Sequence, residues 1–144
     1  MDNWKPDHYF WIGFAESFSK RATCLRRKVG CVLVRDNQII SSGWNDATIG
    51  APTCIDENEC MMIDGGCKRT IHAEQMAIAN AAKVETNTQG SIAYITLQPC
   101  LSCFKQLVSA GISEIYFSEP YRIQHSIEYA SKINFPLHHL KQTV

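Results

Sequence analysis

Cys100 and Cys103 stand three residues apart where an apolar, strand-like run at 92–97 gives way through Pro99 to a helical pattern. At a helix start that spacing points both thiolates the same way, so they can share one ion. His72, followed by Ala73 and Glu74, opens a second helical stretch, 71–84, which is alanine-rich and free of Gly and Pro. A fold that joins the two helix starts gains a third ligand from His72. Three protein ligands leave the fourth position of a tetrahedral zinc for water, whose pKa zinc lowers from 15.7 to about 7. Each half of the pattern is weak alone, because CxxC also occurs in zinc ribbons and redox sites and HxE arises often by chance. Their order, with each opening a helix, is what gives the pair its weight.

The rest of the chain supplies the frame. Phe10, Phe14, Ala15 and Phe18 recur at spacings of three and four within 7–22, which predicts an amphipathic helix with these residues on one face. Two runs, 29–34 and 39–44, flank the turn residues Arg35-Asp36-Asn37-Gln38 and predict a hairpin. From 45 to 70 periodicity disappears, and Gly50, Pro52, Gly65 and Gly66 mark a loop of about 25 residues, a length that calls for a function or a tether. A strand at 92–97, a helix at 100–110 that begins with Pro99 and stops at Gly111, a strand at 112–117, a helix at 125–133 and a strand at 135–140 follow. Strands alternating with helices predict an α/β fold whose sheet is covered on both faces. The 144 residues suit one domain spanning 1–144, since domains commonly run to about 100–200 residues.

Charge narrows the partners. Lys plus Arg and Asp plus Glu number 14 each, so no overall basic field draws the chain to nucleic acid or to an anionic membrane. A small-molecule substrate fits better. Asp2, Lys5, Asp7 and His8 interrupt the N-terminal aromatics, unlike a signal peptide, and no window approaches the roughly 18–20 apolar residues of a spanning helix. The expectation is a cytoplasmic protein without a membrane partner, in which seven cysteines remain reduced and available to metal.

The His72-Ala73-Glu74 and Pro99-Cys100-Leu101-Ser102-Cys103 motifs together resemble the signature of zinc nucleoside deaminases. Thr23-Cys24-Leu25-Arg26-Arg27-Lys28-Val29-Gly30, Gly43-Trp44-Asn45, Arg69-Thr70-Ile71 before His72, Cys103-Phe104-Lys105, Ala110-Gly111-Ile112 and Tyr121 extend the likeness over nearly the whole chain. They resemble the deoxycytidylate (dCMP) deaminase family and its competence-operon homologues. This resemblance implies a three-layer α/β/α cytidine-deaminase-like fold with a mixed sheet of about five strands. It also implies hydrolysis of dCMP to dUMP and ammonia, which feeds thymidylate synthesis, in a homo-oligomer that is often a hexamer. His72, Cys100 and Cys103 would hold the catalytic zinc, and Glu74 would carry protons to the ring nitrogen and the departing amine. Asn45, Ala73 and Tyr121 would contact the substrate, with Arg26 and Arg27 on its 5′-phosphate. The family's control by dCTP and dTTP, with Mg2+ accompanying the nucleotide, is implied as well.

Two positions depart from the family pattern. Met76 replaces an asparagine and predicts an apolar wall in the pocket, and Asn45-Asp46-Ala47 replaces the Asn-Gly that opens a glycine-rich regulatory loop. By the same resemblance, Cys24 and Cys54 match positions used for a second, structural zinc whose histidines have no counterpart here; Cys60 and Cys67 would replace them. Cys31, within an apolar strand, is a core residue on this reading. Other amine substrates remain open within the fold: a cytosine nucleoside or base, a pterin or guanine, or a riboflavin-pathway intermediate. A tRNA adenosine deaminase would need a basic surface. A non-catalytic zinc module for nucleic acid is the alternative of a different class, and it would have no need of Glu74.

Overall fold

The structure is a computed structural model and describes residues 6–141. Helix α1 (His8–Ser19) is followed by strands β1 (Gly30–Arg35), β2 (Gln38–Trp44) and β3 (Asp46–Ala47) and by the short helix α2 (Cys54–Glu57). Three two-residue strands, β4 (Met62–Ile63), β5 (Gly66–Cys67) and β6 (Thr70–Ile71), lead into α3 (Ala73–Lys83). The chain continues through β7 (Ile92–Leu97), α4 (Leu101–Ser109), β8 (Glu114–Glu119), α5 (His125–Lys132) and β9 (Leu137–His139). No helix among the described residues is long and apolar enough to cross a membrane.

The central sheet has five strands in the order β2-β1-β7-β8-β9. It is mixed: β2, β1 and β7 pair antiparallel, while β7, β8 and β9 run parallel. The hairpin joining β1 to β2 turns through Asp36 and Asn37, both at positive φ (52° and 61°), the conformation that matches strand twist in two-residue turns. Residues along each strand divide by parity between two cores. Val32, Val34, Ile92, Tyr94 and Tyr116 face Trp11, Ile12 and Ala15 of α1. Cys31, Leu33, Ala93, Ile95 and Ile115 face Ala73, Ala77, Phe104, Leu107 and Ala130 of α3, α4 and α5. Both faces are therefore covered by helices, as the alternation of elements predicts.

Several details differ from the sequence reading. The buried face of α1 is Trp11, Ile12 and Ala15, whereas Phe10 and Phe14 are exposed, because the sheet meets the helix one residue round from the aromatic stripe. The last strand but one starts at Glu114 and not at 112: Gly111 (φ 88°) and Ile112 bond back to the carbonyls of Val108 and Leu107 and belong to the end of α4. Pro99 lies just outside α4, since Cys100 is the N-cap with extended backbone. Residue 71 belongs to β6, which pairs with β3 and ties down both ends of the 45–70 segment.

Candidate active site

The C-terminal edge of β7 and the N-termini of α3 and α4 converge on one point. His72 caps α3, and its backbone N–H donates to Gln75 Oε1 (3.1 Å). Cys100 caps α4, its sulfur accepting from the Cys103 backbone N–H (3.4 Å). These caps fix the side chains: His72 Nδ1 lies 3.2 Å from Cys103 Sγ and 3.7 Å from Cys100 Sγ, and all three ligand atoms fall within 4.8 Å of one another. A tetrahedral zinc with Zn–S near 2.3 Å and Zn–N near 2.0 Å needs ligand separations of about 3.5–3.8 Å. The residues present fit that ion.

Protonation follows the same proximity. The hydrogen bond with Cys103 pulls the Cys100 thiol down to about 4 against burial, with His72 helping, and the same bond drives Cys103 up. Cys100 is thus the readily ionised thiol. The bond to Cys100 raises His72. Glu74 is 5% exposed, and burial pushes its carboxyl up to about 7 despite the nearby His72. A carboxyl with that value exchanges protons readily at neutral pH.

A cleft of about 370 Å³ opens over this group, within the roughly 300–1,000 Å³ range of small-molecule sites. His72, Ala73, Glu74 and Cys100 line it, as do Asn45, Tyr121, Arg26 and Arg27, whereas Cys103 is fully buried and not part of the lining. Asn45 is buried, and its amide grips the loop that carries the arginines: Oδ1 accepts from the Val29 N–H (2.8 Å) and Nδ2 donates to the Arg27 carbonyl (2.7 Å). Met76 corrects the sequence reading. It is absent from the cleft lining and packs where β2 crosses α3, its Cβ 2.9 Å from where a side chain at Gly43 would begin. Leu97, Val29, Gln98 and Arg122 also line the cleft and were not foreseen. Gln98 had a signal, since it directly follows β7, and α/β proteins bind ligands at the carboxyl ends of their strands. Arg122 had only its place beside Tyr121.

A second cluster joins Cys54, Cys60 and Cys67, whose sulfurs lie within 4.8 Å of one another, with Cys54 and Cys67 3.6 Å apart. Burial raises Cys54 to about 11; burial also opposes ionisation of Cys67, but backbone N–H groups of Arg69, Thr70 and Met61 bring it down to about 6. Cys24 stands outside this group, correcting the four-cysteine expectation: it lines the cleft, and its sulfur accepts from the Arg26 N–H (3.4 Å). Cys31 is fully buried among apolar side chains. Among the described residues both candidate metal groups are thiol-rich, a donor set for zinc. Neither suits the expected Mg2+, which takes oxygen ligands.

A mixed sheet with a His–Cys–Cys group and a buried Glu at two adjacent helix starts defines the class of zinc-binding deaminases acting on amino-substituted heterocycles. Comparison with known proteins narrows the class. The chain belongs to the family described as the cytidine and deoxycytidylate deaminase zinc-binding region, whose model matches residues 6–119. It is 43% identical over 113 residues to ComE operon protein 2 of Bacillus subtilis, covering 78% of this chain and 59% of that protein. It is 33% identical over 132 residues to the deoxycytidylate deaminase of Schizosaccharomyces pombe, covering 81% of this chain and 38% of that one. The chain thus spans less than two thirds of these curated relatives. The crystal structure of dCMP deaminase from the cyanophage S-TIM5 in complex with dCMP and dUMP superposes with a TM-score of 0.83 at 31% identity, covering 96% of this chain and all of that one. The cytidine-deaminase-like fold and the mixed five-stranded sheet are those of the dCMP deaminase structures.

Proposed function

We propose that the protein hydrolyses dCMP to dUMP and ammonia, with His72, Cys100 and Cys103 holding one zinc ion. The observation that carries the reading is the buried carboxyl of Glu74 beside the His–Cys–Cys group, in a cleft sized for one small molecule and lined by arginines. Zinc bound there would lower the pKa of a water to about 7 and so supply an attacking oxygen at neutral pH. Glu74 would take up a proton from that water at its carboxylate and hand it to the ring nitrogen of cytosine; it would then take the proton of the new C4 hydroxyl and pass it to the amine, which leaves as ammonia as the C4 carbonyl forms. One carboxyl poised near 7 serves both transfers. A purely structural zinc module would have no use for such a buried acid, which favours catalysis over nucleic-acid binding. Ala73 and Leu97 form apolar walls for the base, and Tyr121 and the arginines receive the sugar phosphate. This matches the nucleotides bound by the cyanophage enzyme.

Cys54, Cys60 and Cys67 are proposed to hold a second zinc of structural type, with Cys24 outside it. Control by dCTP or dTTP forms no part of the proposal, because the residues after Asn45 run into β3 in place of a glycine-rich loop. Homo-oligomeric assembly in the cytoplasm completes the reading; the exposed aromatics Tyr9, Phe10 and Phe14 on α1 provide an apolar surface for it. The test is ammonia release from dCMP, deoxycytidine, cytidine, dCTP, guanine and adenosine by purified protein, with zinc counted in the same preparation. Turnover confined to dCMP is the expected result. Bound zinc with dCMP untouched would move the substrate elsewhere in the class.

A further inference from the structure

Three arginines, Arg26, Arg27 and Arg122, line the cleft, and their surroundings make them unequal. Arg27 Nη2 lies 3.1 Å from Glu119 Oε1, so part of its charge is already matched by a carboxylate. Arg26 reaches Met62 Sδ (3.4 Å). Neither Arg26 nor Arg122 has a carboxylate partner among the described residues, but of these two it is Arg122 that lies over Tyr121, its guanidinium carbon 5.7 Å from the ring centroid. Arg27 sits at 5.6 Å from the same ring, so one half-buried tyrosine serves both cations as a platform.

The backbone under Arg122 is pinned. Gln98, 4% exposed, accepts from the Tyr121 N–H (3.1 Å) and donates to the Ile123 carbonyl (2.8 Å), bracketing Arg122 on both sides. Gln98 stands two residues before Cys100. The segment that carries Arg122 is thereby tied to the residues that lead from β7 into the His–Cys–Cys group, which fixes the distance between the two ends of a bound ligand. A guanidinium fork held at a set distance from a reacting centre suits a phosphate dianion on the same molecule.

We infer that Arg122 is the residue that selects a nucleoside 5′-monophosphate over the nucleoside, by receiving the phosphate that Arg27, engaged by Glu119, only supports. This inference rests on the deaminase reading for its substrate and adds a specificity residue to it.

Calorimetric titration of the zinc-loaded protein with dUMP and with deoxyuridine tests it without relying on turnover. Wild type is expected to bind dUMP more tightly than deoxyuridine. Arg122→Ala should weaken dUMP about 10–100-fold, the loss of a charged hydrogen-bonding partner, while deoxyuridine is unchanged. Arg122→Lys should fall between, because lysine keeps the charge but not the fork. Arg35→Ala, at the far end of β1 where Arg35 bonds the Asn87 and Gln89 carbonyls, should match wild type. Unchanged dUMP affinity in Arg122→Ala, an equal loss for both ligands, or no wild-type preference for dUMP would each overturn the assignment. Ammonia release from dCMP reports separately on the underlying reading: no ammonia with the dUMP preference intact would sink the deaminase reading and leave Arg122 standing.

Discussion

Glu74 is where a single side chain carries most of the proposed chemistry. Its carboxyl is buried at a helix start, and burial lifts it to about 7, so it both accepts and donates a proton near neutrality. Glu74→Gln keeps shape and hydrogen-bonding capacity but cannot exchange a proton. Its kcat on dCMP should fall at least about 10²–10⁴-fold with zinc content unchanged, measured by ammonia release and elemental analysis on one sample. A second residue-scale prediction concerns stability. His8 Nδ1 bonds Tyr94 OH (2.8 Å) and its ring stacks on Tyr116 at 3.8 Å. Burial lowers its pKa from 6.5, and His138 works in the same direction, while Glu114 and Asp7 oppose it. The fold therefore prefers neutral His8, and its contribution is present above pH 6.5 and lost as pH falls through the lowered value. Urea midpoints at pH 7.5 and 5.5 should differ less in His8→Gln than in wild type. The metal group and Glu74 were legible in the sequence because short spacings on helices fix their geometry. Gln98 and Arg122 were not, since their meaning depends on strand ends and a loop that pair only through the sheet.

At the scale of elements, the approach of β2 to α3 sets where His72 and Glu74 sit. Gly43 makes that approach possible: a Cβ there would meet the Ala73 carbonyl oxygen and the Ala77 nitrogen at 2.5 Å, both backbone atoms that cannot swing aside. Ser41 Oγ donating to the Ala77 carbonyl (2.6 Å) and Asn80 Nδ2 donating to the Ser42 carbonyl (2.8 Å) lock the same pair. Gly43→Ala should cost about 1–3 kcal/mol in urea unfolding, a typical overpacking penalty, and lower activity by displacing the start of α3. Elements with strong local signals, such as β7 and α5, were readable from residue type alone. The start of β8 was not, because Gly111 and Ile112 are claimed by hydrogen bonds that close α4. In α1, Ala15 and Phe18 of the predicted face reach the core while Phe10 and Phe14 stay exposed, because aromatic spacing shows that a helix is amphipathic but the sheet decides which stripe it covers.

For the whole molecule, the question is how a 45–70 segment with little regular structure holds one wall of the cleft. Its ends are paired through β3 and β6, and its middle carries the capped turn of α2, in which Thr53 and Asp56 bond each other's backbone, and the β4–β5 hairpin. These elements are too short to be stable alone. What joins them is the sulfur cluster: Cys54 starts α2, Cys67 ends the hairpin, and Cys60 lies between. Zinc on these thiolates would cross-link the segment, and because the ligands come together only in the fold, its binding energy adds to folding. The hairpin also presents Gly65, Gly66 and Cys67 to the cleft, so loosening it should reach the substrate site. Cys60→Ser is therefore expected to lower zinc from about two ions per chain to about one. The variant should also become sensitive to limited proteolysis between residues 55 and 66 and show a raised KM for dCMP, with kcat less affected because His72, Cys100 and Cys103 are untouched. Zinc at about one ion per chain in the wild type, with equal protease resistance in both proteins, would show instead that the three thiols are a packed, metal-free cluster.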